Sequence, residues 1–81
     1  MYEISIDWRI RKAGEKHYLV GQNRAIELNG SALYFIEKML DGMPRDTIIA
    51  QASQDFGVDS AIIQNDLEAF AKYLRSAEII R

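Results

Sequence analysis

Cysteine is absent from the 81 residues, and with it go disulfide scaffolds, zinc ribbons, iron–sulfur clusters and thiol nucleophiles. A fold of this size without disulfides fits a reducing compartment, so a cytoplasmic protein is expected. Histidine occurs once, at His17. It has no repeated ligand spacing with the scattered carboxylates, so neither a metal nor another cofactor is expected. A glycine-rich phosphate loop is also missing, because the Gly21…Gly30 region lacks both the spacing and the lysine. No apolar run approaches the roughly 20 residues of a membrane span. The N-terminal stretch alternates and carries acids, unlike a secretory signal. A basic surplus is missing too: Lys and Arg number 10 against 12 Asp and Glu, for a net charge of −2. General nucleic-acid binders show the reverse balance.

What is present is ordinary globular composition, 48% apolar and 27% charged. One domain spanning 1–81 accommodates it, burying only about 60% of the surface the unfolded chain exposes. Ile4–Arg11 alternates strictly, with Ile4, Ile6, Trp8 and Ile10 on one side and Ser5, Asp7, Arg9 and Arg11 on the other. Period two over that length predicts a half-buried strand. Ala13-Gly14-Glu15 predicts a turn, His17–Val20 a second strand, Gly21-Gln22-Asn23 a second turn and Arg24–Leu28 a third strand. Tight turns between them make an antiparallel meander.

After Leu28 the period lengthens. Asn29-Gly30-Ser31 supplies capping residues, and Leu33, Ile36, Met39 and Leu40 follow at helical spacing until Asp41-Gly42. Pro44 suits the first turn of a second helix, whose inner face is Ile48, Ile49, Ala52 and Phe56 and whose end is Gly57. Asp59 is the expected N-cap of a third helix with the stripe Ile63, Leu67, Phe70 and Leu74. Ile79 and Ile80 are expected to fold back onto the core. The order is three strands, then three helices: an α+β fold resembling a winged helix-turn-helix.

The third helix carries a second line at the same spacings: Ile62, Asp66, Ala69 and Tyr73. It reads either as the margin of a broad buried face or as the lining of an exposed groove. An apolar groove beside a short strand is a place where an added peptide strand docks.

Little else suggests chemistry. Ser5, Ser31, Ser53, Ser60 and Ser76 form no nucleophile elbow. The acid pairs Asp55/Asp59 and Glu37/Asp41 read as solvated surface charge. The chain is therefore not expected to be an enzyme. A DNA-binding regulator of the winged-helix kind is the alternative. The outward residues of the third helix would be Gln64, Asn65, Glu68, Lys72 and Arg75, and Gln and Asn can read adenine edges. Yet Asp59, Asp66 and Glu68 share that helix, and phosphate neutralisation supplies most non-specific affinity. The charge balance argues against nucleic acid.

From Trp8 onward the chain resembles the PqqD-like proteins, recognition elements for the precursors of ribosomally synthesised, modified peptides. The resemblance rests on several segments in order: Ala25-Ile26-Glu27-Leu28-Asn29 leading into a helix; Ile36-Glu37-Lys38-Met39-Leu40-Asp41-Gly42; Ile48-Ile49…Phe56; and Asp66-Leu67-Glu68-Ala69-Phe70…Leu74 before Ile79-Ile80. Three features depart from the family pattern. Glu78 stands where the family often has Gly, the stretch from Gly42 to Ile48 is about one residue short, and the Gly21–Asn23 turn is terse. They leave the subfamily open.

The resemblance implies a domain that binds the leader segment of a precursor peptide and presents it to a modifying enzyme, often a radical SAM enzyme. The leader adds as a strand to the third β-strand, in the cleft that strand makes with the third helix. The implied binding residues are Arg24, Ala25, Ile26, Glu27 and Leu28 on the strand, and Ile62, Asp66, Ala69 and Tyr73 on the helix. Arg24, Arg9 and Arg11 would attract an acidic leader. A homodimer through the same edge would compete with peptide, since unpaired edges invite self-association.

Overall fold

The computed structural model describes residues 2–4 and 7–80. Three strands, β1 (Arg9–Ala13), β2 (Lys16–Gly21) and β3 (Arg24–Leu28), precede three helices, α1 (Gly30–Leu40), α2 (Arg45–Phe56) and α3 (Ser60–Ser76). The sheet is antiparallel in the order β1-β2-β3. Its register sets Ile10, Leu19 and Ile26 side by side in one row across the three strands. That row and Leu28 form the inner face, which packs with Phe35, Ile36, Ile48, Leu67 and Leu74 from the helices.

The turns explain the meander's tightness. Gln22 and Asn23 both have positive φ, 50° and 61°, the signature of a type I′ turn whose twist matches the flanking strands. Gly14 at φ 63° followed by Glu15 has the sign pattern of type II′. At Gly21 a Cβ would stand 2.8 Å from the Asp7 carbonyl oxygen and 2.9 Å from the Trp8 ring. The missing side chain lets buried Trp8 lie against β2.

All three helices stop in the same way. Gly42, Gly57 and Glu78 have φ of 79°, 64° and 61°. In each case the next amide reaches back across the last turn: Met43 to Lys38, Val58 to Ser53, and Ile79 to Leu74. This is the Schellman arrangement, and a left-handed residue is its requirement. On α3 it folds Ile79 and Ile80 into the core, where both are buried. Asn29 and Asp59 cap α1 and α3 through their side chains, accepting from Ala32 N–H and Ala61 N–H at 2.8 Å each.

Four expectations change. The first strand runs Arg9–Ala13 rather than Ile4–Arg11, because β2 has no residues beyond Gly21 with which to pair anything before Arg9. Ile4 instead bridges Ile80, while Ser5 and Ile6 lie outside the described residues. Ala13 belongs to the strand, leaving a two-residue turn. Pro44 is the N-cap of α2, extended at ψ 153°, not within its first turn. Leu40 and Phe56, expected on inner faces, are exposed. Phe56 packs against Tyr34 with centroids 4.9 Å apart and the rings tilted by 56°.

Candidate functional site

The peptide-binding candidates lie on two elements, and two observations place those elements side by side. The Arg24 guanidinium donates to the Ala77 carbonyl at 2.7 Å, joining the start of β3 to the end of α3. At the other end of β3, Asn29 shares a depression of about 280 Å³ with Asp66, Ala69 and Phe70. β3 and α3 therefore run antiparallel. Five strand steps from Arg24 to Asn29 cover about 16 Å, and eleven helical steps from Ala77 to Asp66 also cover about 16 Å. The two lengths match.

β3 is an edge strand, paired only with β2 among the described residues. The type I′ turn closes on Gly21 and Arg24, so that pair is hydrogen-bonded and the pairs alternate from there. Arg24, Ile26 and Leu28 direct their backbone groups to β2. Ala25 and Glu27 direct theirs away from the sheet. Ile26 and Leu28 place their side chains on the inner face, where Leu28 is buried. Ala25 and Glu27 are exposed, and Glu27 faces Lys16 at 3.5 Å.

On α3 the second line is exposed from end to end: Ile62, Asp66, Ala69 and Tyr73 all lie at the surface. Ile62 and Tyr73, at 53% and 49% exposure, are two of the large apolar side chains the fold leaves outside. Beside the first depression lies a second of about 320 Å³, lined by Phe56, Val58, Ile62 and Ile63 on its apolar side. Ser31, Phe35 and Asp66 line both. Ile62, Asp66 and Ala69 thus meet in one trough, while Tyr73 stands apart from both depressions.

Sequence spacing misses much of this trough's wall. Ser31, Ala32 and Phe35 come from α1, and Phe56 and Val58 from the α2 end, none of which shares a period with α3. Nor does spacing foresee how Arg24 is used. Its guanidinium lies 5.0 Å over the Trp8 ring and donates to the Ala77 carbonyl, so its charge is engaged within the fold.

Electrostatics elsewhere is local. Arg45 donates to Glu68 at 2.6 Å and to Asp46 at 2.9 Å. Its hydrogen bond to Glu68 raises the guanidinium and lowers the carboxyl relative to their ordinary values. Gln64 also donates to Glu68. The face of α3 that would enter a DNA groove is thus occupied by a carboxylate and its own counter-ion. Tyr34 is pushed up to about 12, first by desolvation and then by its hydrogen bond to Asp55 at 2.7 Å. Among the described residues no group of three His, Asp or Glu side chains could hold a metal. No helix there is long and apolar enough to cross a membrane.

The family model described as Coenzyme PQQ synthesis protein D (PqqD) matches residues 16–80, from the start of β2 to the end of the described chain. Comparisons with curated proteins and with solved structures return no match.

Proposed function

Because this chain belongs to the PqqD family, we propose that it binds the leader segment of a ribosomally made precursor peptide and presents it to a modifying enzyme. The carrying observation is one coincidence of geometry. A strand edge with no described strand beyond it runs beside the Asp66–Ala77 stretch of α3, and the exposed flank of that helix continues past the end of the strand to Ile62. A peptide added to β3 pairs with the outward N–H and C=O groups of Ala25 and Glu27, four backbone bonds in all.

At roughly 0.5–1.5 kcal/mol each they supply about 2–6 kcal/mol. Micromolar affinity needs about 8 kcal/mol, and ordering a flexible peptide raises the demand. Apolar side chains of the peptide make up the difference in the trough beside Ile62, at roughly 1.5–3 kcal/mol for each large one fully buried. The domain supplies recognition and no bond-making chemistry of its own; a partner enzyme, of the radical SAM class by family resemblance, acts on the peptide. A second copy of the chain would compete for the same edge.

The test is an NMR titration of labelled protein with the leader peptide encoded beside its gene, with a DNA duplex in a parallel sample. Shifts gathered on Arg24–Leu28 and on Ile62, Asp66, Ala69 and Tyr73 are expected with the leader. Saturable leader binding that leaves these residues unmoved refutes the assigned site. Salt-sensitive shifts on Gln64, Lys72 and Arg75 with DNA alone refute the peptide reading.

A further inference from the structure

We propose that the trough selects a peptide carrying a lysine or arginine between two apolar residues, with Asp66 as the selecting group; this rests on the peptide-binding reading above. Among the described residues Asp66 is the one charged side chain lining the two depressions, and it lines both. It makes no hydrogen bond or ion pair with any described residue, although most carboxylates around it are engaged. Asp59 caps α3, Asp55 accepts from Tyr34 and Glu68 accepts from Arg45. In the sheet, Lys16 faces Glu27 at 3.5 Å, and Arg24 is held at the far end of α3 by Ala77 and Trp8. The trough thus offers apolar side chains toward both ends, with the polar Asn29 and Ser31 on its α1 side, and carries its described charge, a negative one, in the middle. An acidic leader, suggested by the arginines in the sequence, is the wrong complement for it.

The spacing defines the motif. Ile62, Asp66 and Phe70 succeed one another at four-residue steps of α3, about 6 Å apart along the axis. Alternate side chains of an extended peptide are about 6.6 Å apart. A strand lying along α3 thus delivers its side chains i, i+2 and i+4 in turn to the Ile62–Phe56 depression, to Asp66 and to the Ala69–Phe70 depression. The occupant is a peptide of the form apolar, any, basic, any, apolar. The apolar pair provides the affinity. The central cation provides discrimination, because an anion there meets like charge beside apolar walls.

A displayed library of short random peptides, panned on the full chain and on its D66N and D66K variants, tests this whatever the sequence of the leader. Enrichment of Lys or Arg flanked at two residues on each side by apolar residues is expected on the wild type. D66N, which keeps a hydrogen-bond acceptor and loses the charge, is expected to lose the basic preference while keeping the apolar pair. D66K is expected to enrich Asp or Glu at the centre. In an anisotropy titration, changing the central Lys of a selected peptide to Glu is expected to weaken wild-type binding about fivefold and to strengthen D66K binding. Apolar enrichment with no central charge, or a basic preference surviving in D66K, overturns the inference and leaves peptide binding intact. No enrichment of any motif on folded protein overturns both.

Discussion

A proline scan of β3 separates the strand's two uses. The turn type places the N–H of Ile26 against β2 and the N–H groups of Ala25 and Glu27 at the open edge. Proline removes the donor at whichever position it occupies and is tolerated on edge strands where that donor faces outward. Ile26→Pro deletes a ladder bond inside the sheet. It leaves the opposing Leu19 carbonyl unpartnered, at roughly 1–3 kcal/mol. It also loses part of a half-buried side chain, up to about 1.5 kcal/mol more. The expected loss is about 3 kcal/mol, of which Ile26→Ala reports the side-chain share.

Ala25→Pro deletes no internal bond, and its stiffer unfolded chain offsets any strain, so its expected change is within about 1 kcal/mol. At about 4–8 °C per kcal/mol for a domain of this size, the two variants should melt roughly 10 °C apart or more. Urea unfolding and thermal melts followed by circular dichroism measure this with no ligand present. In the same samples Ala25→Pro should weaken leader binding by about 1 kcal/mol, the contribution of one backbone bond. If Ala25→Pro and Glu27→Pro unfold the protein as far as Ile26→Pro does, the assignment of inward and outward groups is wrong. The strand-addition geometry built on it then fails.

Other variants check separate parts of the account. Glu78→Gly should raise stability by about 1 kcal/mol, because a side chain at φ 61° is strained by roughly 1–2 kcal/mol while the added glycine freedom returns part of that; an unchanged urea midpoint contradicts it. Arg24→Ala should lower stability by about 1 kcal/mol, as loss of an exposed hydrogen bond and a surface cation–π contact, and should leave any charge preference of the bound peptide unaltered. Tyr34 has its folded-state value raised from 10.0 to about 12. Its contribution to stability is therefore complete below pH 10 and lost as pH rises toward 12. Tyr34→Phe should flatten stability across that window, and Asp55→Asn should lower the Tyr34 titration seen by NMR without returning it to the ordinary value.

The elements are legible in the sequence because their signals are local. Alternation, a helical period and a left-handed residue each act within a few positions. Even the departure at Glu78 is visible as a residue out of place, and the structure supplies its reason: the third helix ends in the same left-handed turn that Gly42 and Gly57 provide for the other two. What local signals do not settle is partnership. Ile4–Arg11 has one continuous pattern, but β2 is long enough to pair only its second half. Leu40 and Phe56 keep helical spacing with buried neighbours, yet each sits where the next helix no longer covers it. The α3 flank is visible as a line of residues. Its exposure depends on where α1 begins, and the walls added by Phe35, Phe56 and Val58 belong to other periods.

α3 divides its surface three ways, and the division argues for peptide over DNA more strongly than net charge does. Ile63, Leu67, Ala71 and Leu74 are buried against the sheet and the other helices. Glu68 accepts from both Arg45 and Gln64, and its bond to Arg45 holds that cation against α3. A helix serving as a groove reader needs that second face free and positive, because phosphate contacts set both affinity and register. Here its central carboxylate is engaged internally and its nearest guanidinium is already neutralised. The third face, Ile62 to Tyr73, is left exposed by the described residues and is apolar apart from Asp66. Exposed aliphatic and aromatic side chains favour contact with another apolar surface, and the strand edge beside the Asp66–Ala77 stretch offers backbone groups. An extended peptide answers both surfaces at once; a nucleic-acid backbone answers neither.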